Sequence, residues 1–250
     1  MKRGSLFLSL ALLSTLGGCA SIPQGIQHDQ DDRFERFNRS VYKFNDVLDR
    51  AVARPVAVVY ATVTPRPIRT GVTNFLSNLS SPVTIVNQLL QGKVKAFGTD
   101  TARLVVNTTV GIGGLFDPAT KMGLVKGDED FGQTMGRWGM PPGPFLVLPL
   151  LGPSNIRDTV GRVGDQFTEP RSYVNEPWVK YGLAGLDLVD KRASLLEADG
   201  VLRRSFDPYG FVRNAYRQRR QFQVYDGNPP DEHFDEENFD DDPPAPAPAN

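Results

Sequence analysis

Along residues 31–50 the chain reads DDRFERFNRSVYKFNDVLDR, and the apolar positions Phe34, Phe37, Val41, Phe44 and Leu48 recur at spacings of three and four. That period predicts a helix with one apolar stripe. Asp31 and Asp32 stand where the positive end of a helix dipole favours acids. A stripe of this kind ordinarily packs on the protein's own core. Three phenylalanines in it make partial burial in lipid the alternative.

Prolines and glycines divide much of the chain beyond residue 64. Pro67 fits the first turn of a helix through Leu79, with Ile68, Val72, Phe75, Leu76 and Leu79 on one side. Pro82 is expected to start a shorter helix carrying Val83, Val86, Leu89 and Leu90, closed by Gly92. A third helix runs from Lys93 to about Thr109, and GIGGLFDP at 111–118 reads as a turn or a close-approach loop. Ser154 is a candidate cap for a helix to about Gln166. A longer pattern spans Glu176 to Ala198 with Gly200 as its stop, and Asp207 and Pro208 open a last helix. Strand signals are weak, although the alternation in 51–63 allows local extension. The fold class is mainly α with Gly/Pro-rich loops.

One segment departs from this pattern. From Asp130 to Asn155 the chain has Gly at 132, 136, 139, 143 and 152 and Pro at 141, 142, 144, 149 and 153, around the apolar run FLVLPLL at 145–151. Pro149 would break a helix or unpair a strand. A run this short cannot cross a bilayer, which takes about 20 apolar residues. It is therefore a greasy loop or hairpin, either a buried connector or a loop that touches lipid.

The amino terminus adds a membrane address. Lys2 and Arg3 precede the apolar segment Leu6–Leu16, and LGGC at 16–19 ends it. This is a secretory signal, and its end resembles the bacterial lipobox. In that chemistry Cys19, the only cysteine, takes a diacylglycerol, residues 1–18 are removed and the new amino terminus is acylated. The plainer reading is a signal peptide with an incidental cysteine. Ala20 is not the Asp that retains lipoproteins at the inner membrane, so the expected location is the outer membrane, facing the periplasm. Residues 19–30 read as a lipidated polar tether, 31–225 as the helical domain and 226–250 as a disordered acidic Pro-rich tail.

Charge is unevenly distributed. The formal net charge is −1, but 226–250 holds nine of the 29 acidic residues and no Lys or Arg. Setting these aside, together with Lys2 and Arg3 from the 28 basic residues, leaves 20–225 at +6. Arg203, Arg204, Arg213, Arg217, Arg219 and Arg220 concentrate that charge near the end of the body. They form either a solvated basic face or a contact for lipid phosphate or an acidic partner. Nucleic acid is excluded as a partner by the compartment.

Catalytic patterns find no support. The only histidines, His28 and His233, lie in the tether and the tail. Neither suits a fixed base or a metal site. No G-x-S-x-G, H-E-x-x-H or Walker loop occurs. Asp128-Glu129-Asp130 could bind a cation, but an acidic triplet of this kind reads first as a solvated turn. The expectation is a non-enzyme without metal or cofactor other than the covalent lipid at Cys19.

FNRSVYKFND (37–46), RPVAVVY (54–60), PRPIRTGVTNFLSNLSSPVTIVNQLLQGK (65–93), NTTVGIGGLFDPA (107–119), DFGQTMGRWG through GPFLVLPLLGPSNIRD (130–158) and DPYGFVRNAYRQRR (207–220) together resemble the MlaA/VacJ family of outer-membrane lipoproteins. The resemblance spans roughly residues 33–222. Phe145 stands where the family pattern often has Tyr, and Met140-Pro141-Pro142 is stiffer than the usual linker. What it implies is a ring-like helical protein embedded in the inner leaflet of the outer membrane beside a trimeric porin. Phospholipids misplaced in the outer leaflet would pass through its amphipathic channel to a soluble periplasmic carrier, maintaining lipid asymmetry. Within the matched blocks, Phe34, Phe37, Phe44 and Phe75 are the candidates to face acyl chains or the bilayer. Phe145, Leu146, Leu148 and Leu150 belong to a loop that would shape the opening. Asn45, Asn74, Asn87 and Asn107 are candidate polar lining, and Arg157 a candidate phosphate contact. The rivals are a structural lipoprotein bracing porins and a lipid-degrading enzyme.

Overall fold

A computed structural model describes residues 32–230. The signal segment, Cys19, the tether through residue 30 and the tail from residue 231 lie outside the described residues.

The fold is mainly helical. It opens with α1 (Glu35–Leu48), which passes through a π-helical turn (Asp49–Ala53) into α2 (Arg54–Val63) without leaving helical dihedrals. The stretch 51–63, whose alternation allows extension, is helix throughout. Continuity overrides the strand propensity of its valines, and the wide turn explains how Pro55 is tolerated. The Arg54 N–H reaches back five residues to the Asp49 carbonyl, easing the approach to a proline that would otherwise crowd the preceding turn. Thr64 is extended, as the residue before Pro65 must be.

The two helices expected around Pro67 and Pro82 are one. Helix α3 (Arg66–Leu90) runs through Pro82. An interior proline removes a bond and costs about 3 kcal/mol, and tertiary packing opposes that cost. Helix α3 packs against α4 (Val94–Thr109) and α8 (Pro177–Ser194). Gly92, with φ 73°, turns the chain between α3 and α4.

After the turns of 111–117 come the short α5 (Pro118–Lys121) and α6 (Phe131–Arg137), capped by the Asp117 and Asp130 carboxylates. The greasy segment is a hairpin. Strand β1 (Phe145–Leu148) pairs antiparallel with β2 (Gly152–Asn155), from Phe145 opposite Asn155 to Leu148 opposite Gly152. Pro149 sits in the turn, where it costs no ladder bond. Leu150 there has φ 65°.

Helix α7 (Ile156–Asp165) is capped by Asn155, whose Oδ1 accepts from the Asp158 N–H at 2.7 Å, and not by Ser154, which lies in β2. Helices α6 and α7 approach so closely that a Cβ on Gly161 would lie 2.5 Å from the Gly132 nitrogen. Gly200 does not stop α8 directly; it lies in α9 (Asp199–Arg204), beyond a 3-10 turn at Leu196–Ala198. Helix α10 (Pro208–Val224) has Asp207 at its N-cap position and Pro208 in its first turn.

Candidate functional site: an inverted surface around a polar interior

The phenylalanines of the apolar stripe face away from the protein, while Val41 within it is buried and Leu48 half-buried. Phe34, Phe37 and Phe44 are 45, 43 and 40 % exposed, while Asp32, Glu35, Asn38 and Arg39 are buried. The same inversion recurs elsewhere. Val56, Val59 and Val63 of α2, Ile68 of α3, and Val110, Ile112 and Phe116 after α4 are exposed, whereas Gln88, Gln133, Asn87 and Thr134 are fully buried. Scattered exposed apolar residues are ordinary, but a row along whole helix faces marks contact with a partner or a membrane. Among the described residues no helix is long and apolar enough to cross a membrane.

Burial of so many polar groups requires that each be partnered. Asn38 is the clearest case. Its Nδ2 donates to Asp32 Oδ1 at 3.0 Å and to the Phe145 carbonyl at 2.9 Å, and its Oδ1 accepts from the Val147 N–H at 2.9 Å. The side chain supplies to the free edge of β1 what a neighbouring strand would supply. Asn45, seven residues on, repeats the arrangement: it donates to the Leu148 carbonyl and accepts from the Leu150 N–H, both at 2.9 Å. Asn45, read as polar lining, thus holds the hairpin.

The other candidates are also placed. Asn87 donates to Asp165 Oδ1 at 3.0 Å and accepts from Thr134 Oγ1 at 2.7 Å. Asn107 joins Asp117 to the Ala119 N–H, and Asn74 donates to the Leu115 carbonyl. Asn74 and Asn107 border a cavity of about 20 Å³, roomy enough for about one water. Phe75, Leu146 and Leu148 are half-buried, and Leu150 at the hairpin tip is 70 % exposed. Phe145 points inward, 3 % exposed, in a cluster with Val41, Val147 and Tyr209. Its ring meets Tyr209 and Tyr216 at centroid distances of 6.2 and 5.7 Å. Arg157 is 5 % exposed, its Nε 3.2 Å from Asp158 Oδ1 and its Nη1 3.3 Å from the Met140 carbonyl.

Charge pairs tie α10 to this centre. Arg39 holds Asp207 through two bonds of 2.9 and 2.7 Å and stacks 4.4 Å from the Tyr209 ring centroid. Arg213 pairs with Asp32, which also accepts from the Tyr209 hydroxyl. Arg220 reaches Asp130 Oδ1 and Oδ2 at 2.5 and 2.6 Å and Asp158 Oδ1 at 3.0 Å. Arg213 and Arg220 are therefore structural cations rather than part of a solvated face, and Asp130 is no solvated turn. Burial raises the Asp130 carboxyl, but Arg220 and the capped Gln133 N–H hold it below its usual value. Burial and the Asp32 carboxylate push the Tyr209 phenol upward. Asp165 is pushed up to about 6, by burial first and by neighbouring Asp130 in addition.

Polar residues at 32, 35, 38, 39 and 45, spaced by three, four and seven, form the stripe that α1 buries. That stripe stands in the sequence beside the apolar one, and Asn38 escapes a reading led by the phenylalanines. A larger opening, of about 1120 Å³, lies between the 139–145 loop and α10, with Phe145 and Arg157 in its lining. No group of three or more His, Cys, Asp or Glu among the described residues is arranged to hold a metal ion.

The family model described as MlaA lipoprotein matches residues 30–223. This chain belongs to the MlaA family. Within that family it is 40 % identical over 220 residues to the "Intermembrane phospholipid transport system lipoprotein MlaA" of Escherichia coli (strain K12), covering 86 % of each chain. With the protein of that description from Haemophilus influenzae it shares 35 % identity over 235 residues, covering 91 % of this chain and 93 % of the relative. A solved structure described as "Structural basis for maintenance of bacterial outer membrane lipid asymmetry" superposes with a TM-score of 0.71 at 38 % identity, covering 78 % of this chain and all of its own. The MlaA-family region thus contains both the outward phenylalanines and the charge-paired centre.

Proposed function

We propose that this protein removes mislocalised phospholipid from the outer leaflet of the outer membrane and hands it to a soluble periplasmic carrier, maintaining lipid asymmetry. In this reading acylated Cys19 anchors the chain, the outward apolar faces sit in the inner leaflet beside a trimeric porin, and head groups follow an amphipathic channel in a ring-like fold. No bond in the lipid is made or broken. The observation that carries the reading is the inverted stripe of α1, with phenylalanines outward and Asp32, Glu35, Asn38 and Arg39 inward. An apolar face needs hydrocarbon outside it, and a charged head group needs a polar route, because moving a charge through hydrocarbon is costly. The names of the relatives support phospholipid as the cargo.

The test is mass spectrometry of outer-leaflet phospholipid in cells lacking the protein and in cells carrying wild type or Cys19→Ala. Accumulation reversed by wild type and not by the unanchored form is expected. An unchanged outer leaflet in the deletion would sink the proposal and leave a porin-bracing role.

A further inference from the structure

The opening beside α10 has a divided lining. The loop before the hairpin contributes the apolar side chains of Met140, Pro142 and Phe145, and α10 with its neighbours contributes Arg33, Arg157, Arg217, Arg220, Asn155 and Gln221. Four guanidinium groups are in this lining and no carboxylate is. Asp130 and Asp158, which hold Arg220 and Arg157, lie outside it. Two of the cations are therefore fixed before any ligand arrives, and little rotamer freedom is left for them to lose. Arg217 lies 5.9 Å from the Phe145 ring centroid, at the junction of the cationic and apolar parts, and exposed Arg33 stands at the rim.

A planar guanidinium matches two oxygens of a phosphate diester at once, and charge-assisted bonds of this kind are among the strong ones. The volume of about 1120 Å³ exceeds the roughly 300–1,000 Å³ of ordinary small-molecule sites, so a head group enters with the start of its chains. The cavity at Asn74 and Asn107, of about 20 Å³, admits no such group. We propose that the cavity between the 139–145 loop and α10 is a head-group site for an anionic phosphodiester amphiphile. Arg33 and Arg217 take the phosphate oxygens, and Met140 and Pro142 cover the glycerol. The assignment rests on the transport reading, of which it is the head-group station.

The experiment uses the full lipidated protein in detergent micelles. Its probes are fluorescent phosphatidylglycerol and the diacylglycerol with the same chains and label, with inorganic phosphate as competitor. The pair Arg33→Gln with Arg217→Gln should weaken phosphatidylglycerol binding by about tenfold or more, whereas Arg33→Lys with Arg217→Lys should stay within about threefold of wild type. Diacylglycerol should bind weakly and equally to all. Should the glutamine pair fold poorly, Arg33→Glu alone, at an exposed position, must still weaken phosphatidylglycerol binding. Equal phosphatidylglycerol affinity in wild type, the glutamine pair and Arg33→Glu would overturn the site. Wild-type binding of inorganic phosphate, with phosphatidylglycerol held no better than diacylglycerol, would make it an ion site and overturn the lipid assignment. In cells, an unchanged outer leaflet on deletion sinks the transport reading. Accumulation fully reversed by the glutamine pair sinks the head-group site alone.

Discussion

The joint of α1, the hairpin and α10 and the region of α2, α3 and α8 bury different things. At the joint a small cluster of Val41, Phe145, Val147 and Tyr209 is surrounded by Arg39–Asp207, Arg213–Asp32 and Arg220–Asp130, so its own charges and amides hold it. In the other region Ala57 and Leu76 are buried, the Tyr60 hydroxyl and Thr73 converge on Asp190, and Val56, Val59, Val63 and Ile68 face outward. The difference teaches where the apolar driving force acts. At the joint it is internal and small, with directional bonds deciding geometry. Around α2 and α3 apolar side chains point outward, and the chain's own residues do not bury them.

The sharpest way to break the comparison is Arg220→Ala. It leaves Asp130 without its cation and Asp158 with Arg157 alone, and removing one partner of a buried pair costs about 3–5 kcal/mol. Chemical unfolding of the lipoprotein in detergent should show that loss, and a change under about 1 kcal/mol would mean the joint is held otherwise. Phe37→Ser probes the outward-facing side. Partition of the Cys19→Ala chain onto lipid vesicles should weaken by about 1 kcal/mol, a fraction of a full Phe transfer. The lipid-free urea midpoint should stay within about 0.5 kcal/mol of the parent. A shifted midpoint with unchanged partition would place the Phe stripe inside.

The smallest effect concerns pH. Asp165 has a folded pKa raised to about 6 from 3.8, mainly by burial. Its contribution to stability is therefore fully present below about 3.8 and lost as pH rises through about 6. Asp207, pulled down by Arg39 against its burial, acts oppositely and below its usual pKa, so the window between 4 and 6 belongs to Asp165. Asp165→Asn keeps an Oδ1 for the Phe131 N–H, at 2.9 Å in wild type. It should flatten the decline in unfolding free energy across that window by about 1 kcal/mol after allowance for solvent screening. An unaltered slope would assign the pH dependence to other groups.

Much of the helix inventory was legible because a 3.6-residue period survives in any amphipathic helix. The direction of the stripe was not, since periodicity shows that one face is apolar without showing what lies against it. The phenylalanines of α1 illustrate this: their spacing fits a core-packed helix and a lipid-facing one equally. Pro82 misleads because its local cost says nothing of the packing of α3 against α4 and α8. At 51–63 the valines suggest extension, and the π turn that joins α1 to α2 has no local signature in residue type. Arg157 is found by its chemistry, yet its Met140 carbonyl partner and the cavity it borders come from tertiary approach. Asn38, unremarkable in composition, emerges only when α1 meets an open strand edge.

That meeting has a metric consequence. Seven residues of helix advance about 10.5 Å, and three residues of strand about 10 Å. The step from Asn38 to Asn45 along α1 therefore matches the step from the Phe145 to the Leu148 carbonyl and from the Val147 to the Leu150 N–H. The helix works as a gauge with two marks, and the hairpin can seat on it in one register. How many residues lie between the marks is thereby fixed, independently of what those residues are asked to bury or pair.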